Sequence, residues 1–92
     1  MHVTVKAFAD LGELLGRELV ISVPERGTVR QLLQILDKKT AGFLPKVLGS
    51  DGQLRSYVSI LENGRNVKYL QDLDTPLADG DVISIFPPLA GG

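Results

Sequence analysis

The amino-acid sequence predicts a two-layer α+β domain, with one helix laid on one face of a sheet. Three observations carry that prediction. Apolar residues recur at every second position in four separate segments: Val3, Val5 and Ala7; Leu19, Ile21 and Val23; Val58 and Ile60; Ile83 and Ile85. That is the spacing of strands with one face turned inward. Val29, Leu32, Leu33 and Leu36 fall at i, i+3, i+4 and i+7, which makes one apolar helical stripe. Asn63-Gly64 separates two extended runs, and Asn-Gly is the strongest short signal for a β-hairpin.

The elements come in order along the chain. Residues 2–8 form the first strand, with His2, Thr4, Lys6 and Phe8 on the face opposite Val3, Val5 and Ala7. Asp10 to Gly16 reads as one short helical turn: Leu11, Leu14 and Leu15 share a face, Asp10 with Glu13 resembles a capping box, and Gly16 is the stop. Leu19 to Val23 is a second strand, ended by Pro24 and paired with the first as a hairpin with an elaborate loop. Thr28-x-x-Gln31 is a capping box that opens the main helix, and Lys38-Lys39 is its solvated end, where positive charge suits the helix dipole. Phe43, Leu44, Val47 and Leu48 suggest a second short helix, with Pro45 in its first turn. Ser50-Asp51-Gly52 is a turn. Tyr57 to Glu62 is a third strand, and a short fourth is expected over about 66–69. Pro76 to Gly80 is a turn, and Asp79 and Asp81 around Gly80 are read as turn chemistry rather than paired catalytic carboxylates. Val82 to Phe86 closes the sheet, with Val82, Ser84 and Phe86 away from the helix.

Composition narrows the function. At 92 residues the chain forms one domain, large enough to bury roughly 64% of its extended surface. Ten Lys and Arg against eleven Asp and Glu give a net charge of −1, which argues against a nucleic-acid partner. The chain has no cysteine, so it can build no disulfide, thiolate nucleophile, zinc–thiolate or iron–sulfur site. Its one histidine, His2, is a surface side chain beside the N-terminus and supports neither a histidine metal cluster nor a Ser-His-Asp triad. No run approaches the ~20 apolar residues of a membrane span, and the N-terminus lacks a signal-peptide pattern. A cytoplasmic protein with no metal, no bound cofactor and no membrane partner is expected.

The most informative segment is Phe86-Pro87-Pro88-Leu89-Ala90-Gly91-Gly92. Two prolines cannot donate to a ladder, so the strand ends there and the chain leaves the sheet extended. The segment divides the chain into a folded domain over 1–87 and an extended, flexible tail over 88–92. A tail ending in two residues without side chains can thread a narrow slot. Two terminal glycines arise by chance in roughly 0.5% of chains, and a strand, a Pro-Pro stop and an apolar spacer before them are not a cloning scar. What a partner would grip is the Gly92 carboxylate, ionised and unreactive at neutral pH. It becomes reactive only when another protein activates it, for instance as an acyl-adenylate. Such an acyl group accepts sulfur to give a thiocarboxylate, or an amine to give an amide.

The run Asp79-Gly80-Asp81-Val82-Ile83-Ser84-Ile85-Phe86-Pro87-Pro88-Leu89-Ala90-Gly91-Gly92 closely resembles the C-terminus of the MoaD/ThiS sulfur carriers. Val5 to Leu14 is similar to that family's first strand and its "FA-x-L-x-E-L" turn, Gly27 to Leu33 to its helix start, and Glu62-Asn63-Gly64 to its hairpin. The resemblance implies the ubiquitin-like β-grasp fold, a mixed sheet of about five strands with one main helix on one face. It implies that the protein is no catalyst alone. A ubiquitin-activating-type enzyme would use ATP to adenylate Gly92, a donor would supply sulfur, and an acceptor enzyme would take it. Pro87-Pro88 is more typical of MoaD, so the acceptor expected is the large subunit of molybdopterin synthase. Residues 38–56 are longer than in the shorter MoaD chains, a feature shared with archaeal ubiquitin-like modifiers and the carriers of cysteine synthesis. The alternatives are therefore a modifier joined to lysines through Gly92, a carrier for thiamine or cysteine synthesis, and an interaction module with an inert tail. By the same resemblance, Pro88, Leu89, Ala90 and Gly91 thread the partner, and Phe86, Phe8 and Pro87 bind its surface. Lys6 and Ser84 share their face.

Overall fold

The computed structural model describes residues 1–88. Its elements are β1 (His2–Ala7), α1 (Ala9–Leu15), β2 (Glu18–Ser22), α2 (Val29–Lys39), α3 (Leu44–Val47), β3 (Ser59–Glu62), β4 (Arg65–Asn66) and β5 (Val82–Phe86). Single 3₁₀ turns cover Val67–Tyr69 and Asp72–Asp74. The strands form one sheet in the order β2-β1-β5-β3-β4. β1 pairs antiparallel with β2 and parallel with β5, while β3 runs antiparallel to both β4 and β5. This is the mixed five-stranded sheet of a ubiquitin-like β-grasp domain.

The alternation predicted from the sequence decides which face is covered. Val3, Val5, Ala7, Ile21, Ile60, Ile83 and Ile85 are all buried beneath Val29, Leu32, Leu33 and Leu36 of α2, which are fully enclosed. Thr28 caps α2 as predicted: its Oγ1 accepts from the Gln31 amide at 3.4 Å, and Gln31 Oε1 accepts from the Thr28 amide at 3.0 Å. The middle segment completes the core instead of looping freely. Pro45 sits in the first turn of α3, Phe43 and Val47 are fully buried, and the Leu44 amide donates to Asp37 Oδ1 at 2.8 Å, fastening α3 to α2.

The predicted boundaries shift: β1 ends at Ala7 rather than at residue 8, β2 covers Glu18–Ser22 rather than Leu19 to Val23, and three further corrections have a clear cause. The helix after β1 begins at Ala9, and its N-cap is Phe8 with no side-chain cap, so Asp10 and Glu13 form no capping box. The cause is that the Phe8 amide still donates to Ile85 O at 3.2 Å, extending the sheet by one bond before the chain turns. Ala9 takes the turn with φ 52°. The third strand starts at Ser59, not Tyr57. Its register sets Ser59 against Phe86, so Val58 and Tyr57 would face Pro87 and Pro88, which have no amide hydrogen to give. The fourth strand ends at Asn66, because Asn66 Oδ1 accepts from the Lys68 amide at 3.0 Å and starts a 3₁₀ turn that drops Val67 into the core. Between β3 and β4, Asn63 and Gly64 both take positive φ, 50° and 86°, as the predicted hairpin turn requires.

Candidate functional site

The face of the sheet opposite α2 carries the outward side chains of every strand. The register aligns them in rows across it. Thr4 stands between Val20 and Val82, and Lys6 between Glu18 and Ser84, with Leu61 beyond Ser84. Val20 is 65% exposed. Lys6 Nζ lies 4.0 Å from Glu18 Oε1, an exposed pair at the edge of ion-pair range. Lys6 and Ser84 thus share the face assigned to them from the sequence.

The third row holds Phe8 and Phe86. Their rings stack with centroids 4.3 Å apart and planes 10° from parallel. Phe8 is 40% exposed and Phe86 half-buried. Period two places both on this face, and the parallel pairing of β1 with β5 makes them neighbours. Pro87 and Pro88 leave the sheet directly beyond, half-buried and exposed respectively. An open groove of about 1030 Å³ runs beside this root, lined among others by Phe8, Asp10, Arg17 and Pro88. The predicted threading residues Leu89, Ala90 and Gly91 and the reacting Gly92 lie outside the described residues.

The other residues singled out in the sequence are structural or solvated. His2 is exposed, and its backbone amide donates to Asp79 Oδ1 at 2.8 Å. Asp81 is buried and accepts from Asn63 Nδ2 at 2.9 Å and from the Ala78 amide at 2.8 Å. Asn63 Oδ1 in turn accepts from the Val82 amide at 2.8 Å. The two aspartates therefore tie the turn before β5 to its neighbours, as turn chemistry predicts. Among the described residues there is no group of three or more His, Cys, Asp or Glu able to hold a metal ion. No helix there is long and apolar enough to cross a membrane.

Two features were missed from the sequence. Glu62 is half-buried against Asp81, and burial, with the hydrogen bond to and charge of Asp81, pushes its carboxyl up to about 7 despite Arg65. Burial pushes Asp81 up, but its bonds with Glu62, the Ala78 amide and Asn63 outweigh this and hold it below its ordinary value. Nineteen positions separate the pair in sequence, so no local motif reveals it. The second is Gly12, where a Cβ would meet Ala7 O at 2.8 Å. A glycine inside a helical pattern was the available signal.

The site presents an aromatic pair at the foot of a Pro-Pro exit. The ThiS family model matches residues 5–92. A putative sulfur carrier protein of Archaeoglobus fulgidus is 46% identical over 68 residues, covering 74% of this chain and 77% of its own length. Small archaeal modifier protein 3 of Haloferax volcanii is 34% identical over 93 residues and covers both chains completely. The crystal structure of SAMP1 from Haloferax volcanii superposes with a TM-score of 0.86 at 32% identity, covering 100% of both chains.

Proposed function

The chain belongs to the ThiS/MoaD family of ubiquitin-like sulfur carrier domains, and from that premise we propose that it carries sulfur on Gly92. A carboxylate oxygen of Gly92 attacks the α-phosphorus of ATP held by a ubiquitin-activating-type enzyme, and pyrophosphate leaves. Hydrosulfide released by a donor then attacks the acyl carbon and displaces AMP, leaving a thiocarboxylate that an acceptor enzyme consumes. ATP is the activating enzyme's substrate, and no cofactor resides on this chain. The favoured acceptor is the large subunit of molybdopterin synthase, with this chain as the small, non-catalytic subunit.

The observation that carries the proposal is the exit of β5 through Pro87-Pro88 beside the Phe8–Phe86 pair. A prolyl φ is fixed, so the root of the tail is stiff where it leaves β5. The open face beside it offers Phe86, Phe8 and Pro87 as the surface a partner covers while Pro88 to Gly91 thread its slot. Exposed aromatics clustered in one place mark interaction surfaces more often than scattered ones do. The test is intact mass spectrometry after co-expression with the cognate activating enzyme. Sulfur in place of one oxygen at Gly92 is expected, and an unmodified mass with every such enzyme sinks the carrier reading.

A second reading is supported by the full-length likeness to a small archaeal modifier protein. The same acyl-adenylate, attacked by a lysine amine, yields an isopeptide. High-mass adducts in a lysate favour the modifier, and a thiocarboxylated free form alone favours the carrier. Failure of any activation leaves an interaction module.

A further inference from the structure

We propose that Phe8 is a positioning residue for the tail: its ring, stacked on Phe86, sets the direction in which Pro87 and Pro88 leave the sheet. The inference rests on the reading that Gly92 is activated by a partner, but it concerns the root of the tail and is testable apart from that reading.

Phe86 is the last residue of β5. On one side the antiparallel ladder holds it against Ser59. On the other side the ladder with β1 stops at Ala7 opposite Ile85, and the final backbone bond is Phe8 N–H to Ile85 O at 3.2 Å. Beyond that bond the ring of Phe8 stacks on Phe86 on this side, at 4.3 Å and 10°. Pro87 and Pro88 then act as a stiff lever. A residue before proline is confined to extended backbone, and this applies to both Phe86 and Pro87. Fixing Phe86 therefore fixes the course of the two prolines.

Phe8 is itself locked. Its carbonyl accepts from the amides of Leu11 and Gly12 at 3.2 and 3.3 Å. Gly12 is buried with room for no Cβ beside Ala7 O, so α1 sits hard against the end of β1. The next residue, Ala9, takes a left-handed φ of 52°, a conformation that costs an alanine energy and persists only where the surroundings impose it. Phe8 lies outside the buried core cluster at 40% exposure. A held ring that fills no core and meets the strand's last residue is arranged to aim the tail.

The experiment measures ATP–pyrophosphate exchange by the cognate activating enzyme as this protein's concentration is varied, for wild type, Phe8→Ala and Phe8→Tyr. In Phe8→Ala the saturated rate is expected to fall roughly tenfold to a hundredfold, since misplacing the reacting group acts on the chemical step. KM should rise by less than the saturated rate falls, since Phe8 also lies on the surface a partner covers, and Phe8→Tyr, which keeps the stack, should keep most of the saturated rate. A raised KM with an unchanged saturated rate, or no effect on either, overturns the proposal and makes Phe8 a simple contact residue or a bystander. Should Phe8→Ala lose its cooperative melt, Phe8→Leu, which refills volume without a ring, is read by the same split. Carbon-13 relaxation at the Pro87 and Pro88 Cα gives a readout that needs no enzyme. Motion there should increase in Phe8→Ala and not in Phe8→Tyr, and unchanged motion overturns the proposal. Absence of exchange with wild type overturns the activation reading instead, and the relaxation result then decides the role of Phe8.

Discussion

A Cβ on Gly12 would stand 2.8 Å from the carbonyl oxygen of Ala7. Ala7 is the last residue of β1 and pairs with Ile85, so its backbone cannot retreat without loosening the ladder that carries the tail. Gly12→Ala is expected to lower stability by about 1–3 kcal/mol, the usual cost of overpacking a closed site. Helix propensity works in the opposite direction by about 1 kcal/mol, so a gain in melting temperature would show that α1 slides outward at little cost.

Phe86 offers a test of the open face. Phe86→Arg replaces a half-buried ring by a side chain that can reach solvent from the same position. We expect a folded protein with a cooperative melt and a loss of binding to the activating enzyme of ~2 kcal/mol or more, the scale of a central aromatic anchor. Isothermal titration against that enzyme measures it. Unchanged affinity would move the interface to another surface.

The faces of this sheet were legible because period two leaves little choice once one side is apolar. The interior partners of α2 and the outward placement of Lys6, Ser84 and Phe86 all derive from that parity. The main helix was legible because Thr28 and Gln31 satisfy its first amides locally. What the sequence did not show was set by neighbours distant in the chain. The start of β3 depends on which residue of β5 it meets, and that residue is succeeded by prolines. The start of α1 depends on a backbone bond from Phe8 to Ile85, 77 positions away. The Asp10–Glu13 pattern lost because a sheet bond had already fixed Phe8 as the cap. The site was legible at Phe8 and Phe86, whose stacking needs only the parallel pairing of the first and last strands.

Glu62 makes stability depend on pH. Its carboxyl faces Asp81 from the turn before β5, with Arg65 across the hairpin, and burial together with Asp81 raises it from an ordinary 4.5 to about 7. The folded state therefore keeps this proton to higher pH than the unfolded chain does. Its contribution to stability is fully present below about 4.5 and is lost as pH rises to about 7. Asp81, held low, has the opposite sign: its contribution is present above its ordinary 3.8 and is lost as the solution is made more acidic. Glu62→Gln keeps a hydrogen-bond donor toward Asp81 without a titrating proton. Its melting temperature should exceed that of wild type at pH 8 and change less between pH 5 and pH 8. Parallel melting curves for the two proteins across that interval would remove Glu62 as the cause.

The reacting group is tested by lengthening the chain. Adenylation needs the carboxylate of Gly92 to reach a nucleotide's α-phosphate inside another protein. One residue added after Gly92 displaces the terminal carbon by about 3.5 Å, far beyond the ~0.5 Å tolerance of a preorganised site. Gly91→Val should fail as well, since a branched side chain meets the wall of a slot shaped for glycine. The core cluster described runs from Val3 to Ile85 and neither change alters one of its residues, so stability should remain within about 0.5 kcal/mol of wild type. The two measurements together separate a damaged fold from a blocked carboxylate. Loss of pyrophosphate exchange with an unchanged melt identifies Gly92 as the acyl group. An extended chain that exchanges as fast as wild type would mean that the terminal carboxylate is not activated, and the domain would then act through its open sheet face alone.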